Sequence, residues 1–270
     1  MTRISVIIPV FNEEKYIRKT LTALAQQTLK PTQIIVADDG STDASSEIVG
    51  TFSGIQLLRL PQEKKAMIER VPAVLNAGSR LLDNFDYLAI LDADTILESR
   101  YYEKLVAKLQ NDRKVGIACG KLGGRAQTGL MFGLIPYVYG CNRLYTRDCW
   151  LQINSGDKIM KLVPVWDFYH NICAEMLGFM TRRYVDIHSW ALRPPGYRKA
   201  FFNGYISYQV GYYGYFLLLR AVRNRKPSLL AGYLKAKFSN SIQYPIKPYV
   251  RYLQIQRMRN LMKKVTCDVR

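Results

Sequence analysis

The chain has 270 residues, 49% of them apolar, enough to bury a core in one large domain or one domain with an appendage. Its five cysteines (Cys119, Cys141, Cys149, Cys173, Cys267) are odd in number and lack a paired metal-type spacing, which argues for reduced thiols and against a disulfide scaffold or zinc site. The net charge of +18 is segregated: Trp190 to Arg270 carries 16 Lys and Arg against one acid, Asp268, leaving +15 there and +3 before it.

Met1-Thr2-Arg3 leads straight into a strand-like run with no small-residue cleavage site, so no signal peptide is expected. Ile4 to Val10 predicts a first, buried strand. Asn12 is a candidate helix cap behind it, with Glu13 and Glu14 suited to a helix's positive end, and Ile17, Leu21, Leu24 and Thr28 recur at helical spacing. Gln33 to Ala37 predicts a second strand ending at Asp38-Asp39-Gly40-Ser41, and Ser41 or Thr42 is placed to cap the next helix. Ile55 to Leu60 is a third strand candidate, and a helix precedes Tyr87.

Tyr87 to Leu91 is a short apolar run, long enough for a buried strand and too short for a core helix. It stops at Asp92, with Asp94 two residues later. Carboxylates at the carboxyl end of a buried strand lie where open α/β sheets bind ligands. Hard oxygens of this kind suit magnesium or manganese bridging a diphosphate. The alternative is structural: Asp94 caps the next helix and Asp92 closes a turn. Ser99 is the expected cap of a helix with Tyr102, Leu105, Val106 and Leu109 inward, and Val115 to Cys119 is a fifth strand.

Strand and helix alternating from the first residues predict a doubly wound, mostly parallel sheet with helices on both faces. The turn after the first strand, Pro9-Val10-Phe11-Asn12, lacks the glycines of a nicotinamide-binding sheet. Only two histidines are present, neither beside a nucleophile motif, so a Ser-His-Asp triad is not expected.

SVIIPVFNEE, VADDGSTD and LDADT, in this order and spacing, resemble the three opening signatures of the inverting glycosyltransferases of family 2, over roughly the first hundred residues. The resemblance implies a GT-A fold, a UDP- or GDP-sugar donor, Mn²⁺ or Mg²⁺, and an inverting transfer. Carried over, Pro9, Asn12 and Glu13 line the nucleotide edge, and Asp39, with Asp38 beside it, bonds the base. Asp92 and Asp94 match the family's DxD, Asp94 being the nearer metal ligand. Arg70 or Lys65 is placed to reach a donor phosphate, or else to lie on a solvated helix face.

Tyr139 to Arg147 resembles the stretch passing under the donor sugar. Val165-Trp166-Asp167-Phe168 opens a helix where family members usually show Glu-Asp and the Asp is the general base; here only Asp167 is retained. Its structural reading is a helix cap. His188 resembles a late histidine that contacts metal or phosphate, whereas His170 reads as structural.

Residues 1–190 are therefore expected to form the catalytic domain and 191–270 a basic, Tyr-rich helical extension. Phe201 to Leu219 is 19 residues without a charge, nominally enough to span a bilayer. Its five Tyr and three Gly, bracketed by cations, instead suit an interfacial helix; Lys247 to Lys264 is a second candidate. The expected partners are a nucleotide sugar, a lipid-linked or polysaccharide acceptor and an anionic membrane surface, with the protein cytoplasmic and peripherally attached to the inner face of the cell membrane. A non-catalytic relative, raised by the missing Glu before Asp167, is one alternative. A nucleic-acid-binding protein is the other, permitted by charge but unsupported by any recognition motif.

Overall fold

A computed structural model describes residues 1–61, 67–123, 130–131, 135–136, 138–163, 165–193 and 200–267. The chain divides into two compact units, 1–131 with 136–194, and 132–135 with 195–270. Lys65, Arg198, Lys199 and Asp268 lie outside the described residues.

In the first unit β1 (Ile4–Val10), β2 (Gln33–Asp38), β3 (Ile55–Arg59) and β4 (Tyr87–Leu91) run parallel. β5 (Thr95–Leu97), β6 (Val115–Gly123), β9 (Asn142–Thr146) and β10 (Met180–Ala191) complete an eight-stranded sheet of order β3-β2-β1-β4-β9-β6-β10-β5. The short β7 (Leu130–Met131) and β8 (Ile135–Pro136) lie outside it. β9 is antiparallel to both its neighbours and β5 to β10, so the sheet is mixed.

Side chains alternate across a strand, and β1 shows the result. Ile4, Val6, Ile8 and Val10 join one core with α1 (Ile17–Ala25), α2 (Ser45–Gly50) and α4 (Tyr101–Asn111). Ile7 joins the opposite core with α3 (Met67–Ser79), α5 (Arg147–Ile153) and α6 (Trp166–Met176). Burial on both faces explains why these strands are continuous apolar runs.

The helix starts differ from the sequence-based expectation. Asn12 has φ +54° and is a turn residue; α1 begins only at Ile17. α2 begins behind Ala44 because the Ser41 hydroxyl is already committed to Asp38. α4 is preceded by Arg100 rather than Ser99, without a side-chain cap. Asp94 is followed by a strand, β5, so its helix-capping alternative falls away.

The second unit holds α7 (Ala200–Gln209), α8 (Gly214–Arg223), α9 (Pro227–Phe238) and α10 (Lys247–Cys267). The uncharged run 201–219 is therefore two helices, parted at Gly211, whose φ of +89° favours glycine. α7 and α9 cross nearly backbone to backbone. A Cβ on Gly204 would lie 1.8 Å from the Leu229 carbonyl oxygen, and one on Gly232 1.8 Å from that of Phe201. Among the described residues no helix is long and apolar enough to cross a membrane.

Candidate active site

The site is built where β1, β2 and β4 end. Two loops are stitched together there. The Asn12 amide donates to Ser41 Oγ (3.0 Å), its Oδ1 accepts from the Thr42 amide (2.9 Å), and the Glu13 amide donates to Ser45 Oγ (2.7 Å). The left-handed turn at Asn12 aims these groups across to the β2 loop. Pro9 stays within β1, paired with Ala37.

The neighbours Asp38 and Asp39 have opposite fates. Asp38 is wholly buried; its Oδ1 accepts from the Ser41 amide (2.9 Å) and hydroxyl (2.5 Å), and its Oδ2 from the Ser46 hydroxyl. Its carboxylate closes the turn from inside. Asp39 turns the other way, into a cleft of about 160 Å³ lined by Leu60, Pro61, Arg70, Ala73, Val74 and Ala77. Arg70 donates through Nε (2.6 Å) and Nη2 (2.5 Å) to Asp39 Oδ2, and its guanidinium lies 4.0 Å over the Phe11 ring. Arg70 thus holds a carboxylate at one edge of an otherwise apolar slot.

Asp94 and Glu13 meet at a third residue. Arg193 pairs with the Glu13 carboxylate and places Nε 3.7 Å from Asp94 Oδ2. Burial pushes the Glu13 carboxyl above its ordinary range; Arg193 pulls it down, and the nearby Asp94 charge adds to the rise. Arg193 lies over the Tyr16 ring, 5.3 Å from its centre, and lines an open cleft of about 450 Å³ with Asn12, Glu14, Lys15, Tyr16 and Asp43. The Leu192 amide donates to the Asp94 carbonyl (2.8 Å), which ties the end of β10 to the DxD turn.

The Asp92 amide donates to the Cys141 carbonyl (2.9 Å), which brings the start of β9 to the same edge. Gly140, just before Cys141, packs against the start of α6: a Cβ there would lie 3.3 Å from the Trp166 ring and 3.5 Å from the Asp167 Cβ. Asp167 sits in the first turn of α6, behind Val165 in the left-handed region (φ +56°). Its Oδ1 accepts from the Phe168 amide (2.9 Å) and its carbonyl from Arg143 Nη1 and Nη2 (both 3.3 Å).

Arg143 is 1% exposed and donates further to the carbonyls of Tyr139 and Val138 (both 2.9 Å) and to the Tyr145 hydroxyl (2.8 Å). Its guanidinium lies 4.8 Å from the Trp166 ring. Trp166, which stands where the family usually has Glu, therefore packs on this buried cation. Behind it Tyr145 Oη lies 2.9 Å from His170 Nδ1. Burial, then the Arg143 charge, lowers the His170 pKa to about 3, so this histidine is neutral and structural.

His188 is not brought to Asp94. The register of β10 on β5 sets Ser189 against Leu97; the Glu98 amide donates to the His188 carbonyl (3.1 Å) and the His188 amide to the Glu98 carboxylate (3.2 Å). The residue that reaches Asp94 is Arg193, five positions on. Among the described residues no group of three or more His, Cys, Asp or Glu is arranged to hold an ion. In the sequence Arg193 is only one of the cations that precede the Tyr-rich run. The signal for Arg143 was available: one Arg inside an otherwise strand-like stretch, Cys141 to Tyr145.

Residues 5–157, more than half of the chain, match the profile of Glycosyl transferase family 2. The chain belongs to that family. It is 38% identical over 119 residues to the glycosyltransferase GlyA of Streptococcus pneumoniae serotype 4, covering 42% of this chain and 16% of that protein. Over 133 residues it is 33% identical to the probable glycosyltransferase YdaM of Bacillus subtilis, covering 45% and 30% of the two chains. The chain thus spans a minor part of these relatives' length. Residues 1–349 of S. aureus TarS, solved in complex with UDP-GlcNAc, superpose with a TM-score of 0.58 at 18% identity, covering 89% of this chain and 74% of that one. The likeness identifies the fold as GT-A, with its mixed sheet covered by helices on both faces.

Proposed function

We propose that this chain transfers a sugar, with inversion and with Mg²⁺ or Mn²⁺, from a nucleoside-diphosphate donor to a hydroxyl of a lipid-linked or cell-surface glycan. The observation that carries the reading is the meeting of Glu13 and Asp94 on one guanidinium, with Asp39 at the end of β2, the strand paired with β1. Two carboxylates that already share a positive charge are hard-oxygen donors of the kind Mg²⁺ and Mn²⁺ take. Asp94, with Asp92 beside it, would hold the ion, which supplies charge stabilisation at the diphosphate leaving group.

The chain's own residues do the rest. The slot of Leu60, Pro61, Ala73, Val74 and Ala77 accepts a flat heterocycle, and Asp39, fixed by Arg70, accepts an N–H from its edge. The TarS structures with UDP and UDP-GlcNAc favour uridine over guanosine. Asp167 takes the proton of the acceptor hydroxyl as it attacks, a contribution of about 10²–10⁴-fold for a well-placed base. Single displacement needs no covalent nucleophile, and the transition state is oxocarbenium-like, as in glycoside hydrolysis. His188, held at Glu98, has no part in this scheme, and Asp38 acts by fixing the turn that presents Asp39.

A thermal-shift series with UDP, GDP and NAD, each with and without Mn²⁺, tests the binding half, because a ligand of the folded state stabilises it by mass action. A Mn²⁺-dependent rise with UDP, reduced in Asp39→Asn and abolished in Asp94→Asn, is expected. Loss of UDP-sugar hydrolysis in Asp167→Asn with the UDP shift intact tests the catalytic half. A shift with NAD alone refutes the reading.

The cationic second unit, with Asp268 as its one acid, supports attachment to the inner, anionic face of the cell membrane, beside a lipid-linked acceptor. Each cation close to such a surface contributes on the order of 1 kcal/mol.

A further inference from the structure

The 19-residue uncharged run hides two helices with different surroundings. α7 is pressed onto α9 through Gly204 and Gly232, and its Gly204, Ile206 and Ser207 are buried. α8 is amphipathic in an inverted sense. Leu217 and Ala221 face inward onto Leu229, while Tyr215, Leu218, Leu219 and Val222 are 45%, 47%, 65% and 70% exposed. Their spacing, i, i+3, i+4, i+7, makes one continuous apolar stripe on a helix that has a core on its other side. Polar groups normally occupy that position. α10, by contrast, turns Val250 and Gln254 inward and exposes Tyr252, Arg257, Met258 and Arg259, with no such stripe among its described side chains.

We infer that the outward face of α8 inserts into the headgroup boundary of an anionic lipid bilayer and is the element through which this chain sits on a membrane. This inference deepens the peripheral attachment proposed above and names the surface that makes it.

Charge complementarity selects the occupant. Arg220 and Arg223 end α8, and Arg225 and Lys226 follow, the last three exposed. No Asp or Glu occurs between Asp186 and Asp268, so α8 and α9 carry no acid to repel phosphate headgroups. Lys235 and Lys237 lie exposed on α9, whose Leu234 and Phe238 are also uncovered. A second copy of the same face would set cation against cation with no acid to answer it. Ten residues span about 15 Å as a helix, half the hydrocarbon thickness, so α8 lies in the surface and does not cross it. Apolar anchors inserted beside a ring of cations are the makings of an interfacial helix.

The test is co-sedimentation of the full chain with vesicles of phosphatidylcholine alone or mixed with phosphatidylglycerol. The chain is expected to bind the mixed vesicles and to bind the neutral ones much more weakly. Leu218→Glu with Leu219→Glu places two charges on the stripe at solvent-exposed positions, and a drop of at least about tenfold in vesicle affinity is expected. Arg223→Gln with Arg225→Gln and Lys226→Gln lowers affinity by about fivefold for each cation engaged. A Leu219→Trp reporter should shift its emission to the blue on mixed vesicles. Binding that survives the double Glu substitution overturns the inference, as does the absence of any phosphatidylglycerol dependence. A chain that dimerises through this face, dissociates in the double variant and ignores vesicles also overturns it. UDP-sugar hydrolysis without vesicles separates the two readings. Its loss in the unmodified chain counts against the transferase alone, and vesicle binding lost with hydrolysis intact counts against α8 alone.

Discussion

Arg143→Met probes how the candidate base is held. The guanidinium is buried, donates to the carbonyls of Val138, Tyr139 and Asp167 and to the Tyr145 hydroxyl, and stacks on Trp166. Methionine fills similar volume but donates nothing, and a buried carbonyl left without a partner costs about 1–3 kcal/mol. The Val138 carbonyl keeps Asn171 Nδ2 (3.4 Å) and that of Asp167 its place in the first turn of α6. The cost is therefore about one such carbonyl, that of Tyr139, with about 1 kcal/mol for the lost cation–π contact, partly offset by relief of the guanidinium's desolvation. A net loss of about 1–3 kcal/mol is expected, which for a chain of this size lowers Tm by about 2–12 °C. Asp167 then loses the donors that fix its carbonyl at the mouth of α6. A displacement near 1 Å costs about 10²-fold in a reaction that depends on alignment. The assay is kcat and donor KM at a temperature well below both melting points, with the pH profile of kcat. The expected result is a fall of about 10–100-fold in kcat with donor KM within about twofold. Arg143→Lys, which keeps the charge but loses the fork, should behave similarly. An unchanged kcat in a destabilised variant refutes the positioning role and leaves Arg143 a purely structural cation.

Three further outcomes follow from the same contacts. His170 takes up a proton in the unfolded chain near its ordinary 6.5 but in the folded state only at about 3, so stability should fall as pH drops through that window. Urea melts between pH 7 and 4 should show a shallower fall in His170→Phe, and an identical slope counts against the assignment. Arg193→Gln removes a half-exposed positive charge beside Glu13 and Asp94, worth about 1–2 kcal/mol against a divalent ion at this separation. Calorimetric titration without nucleotide should give Mn²⁺ affinity about five- to thirtyfold tighter, and weaker binding sinks the idea. Gly204→Ala puts a Cβ 1.8 Å from the Leu229 carbonyl oxygen, so α7 and α9 must part. Faster amide exchange across residues 200–238 is expected, and unchanged protection would refute the crossing.

Much of the catalytic unit is legible from residue order alone. The runs at Ile4 and Tyr87, and the latter part of the one at Gln33, are apolar on both faces because these strands are covered twice, whereas the edge strand at Ile55 is only half-buried. Motifs read at the strand ends, Asp38-Asp39 and Asp92-x-Asp94, are local in sequence and so survive being read as text. Which member of a pair acts is not local. Asp38 faces inward and Asp39 outward because Ser41 and Ser46 reach one carboxylate and Arg70, 31 residues away, reaches the other.

The partners of Glu13 and Asp167 also come from afar: Arg193 is 180 positions from Glu13, and Arg143 lies 24 before Asp167 on the antiparallel strand β9. His188 misses Asp94 only through strand register, which is set by the whole of β10. The uncharged run 201–219 shows the same limit. Its composition speaks of an interface, but only the crossing of α7 on α9 decides that α8 is the helix left facing outward. Local preference and burial pattern are written residue by residue, whereas the meeting of distant charges is decided when the chain closes on itself.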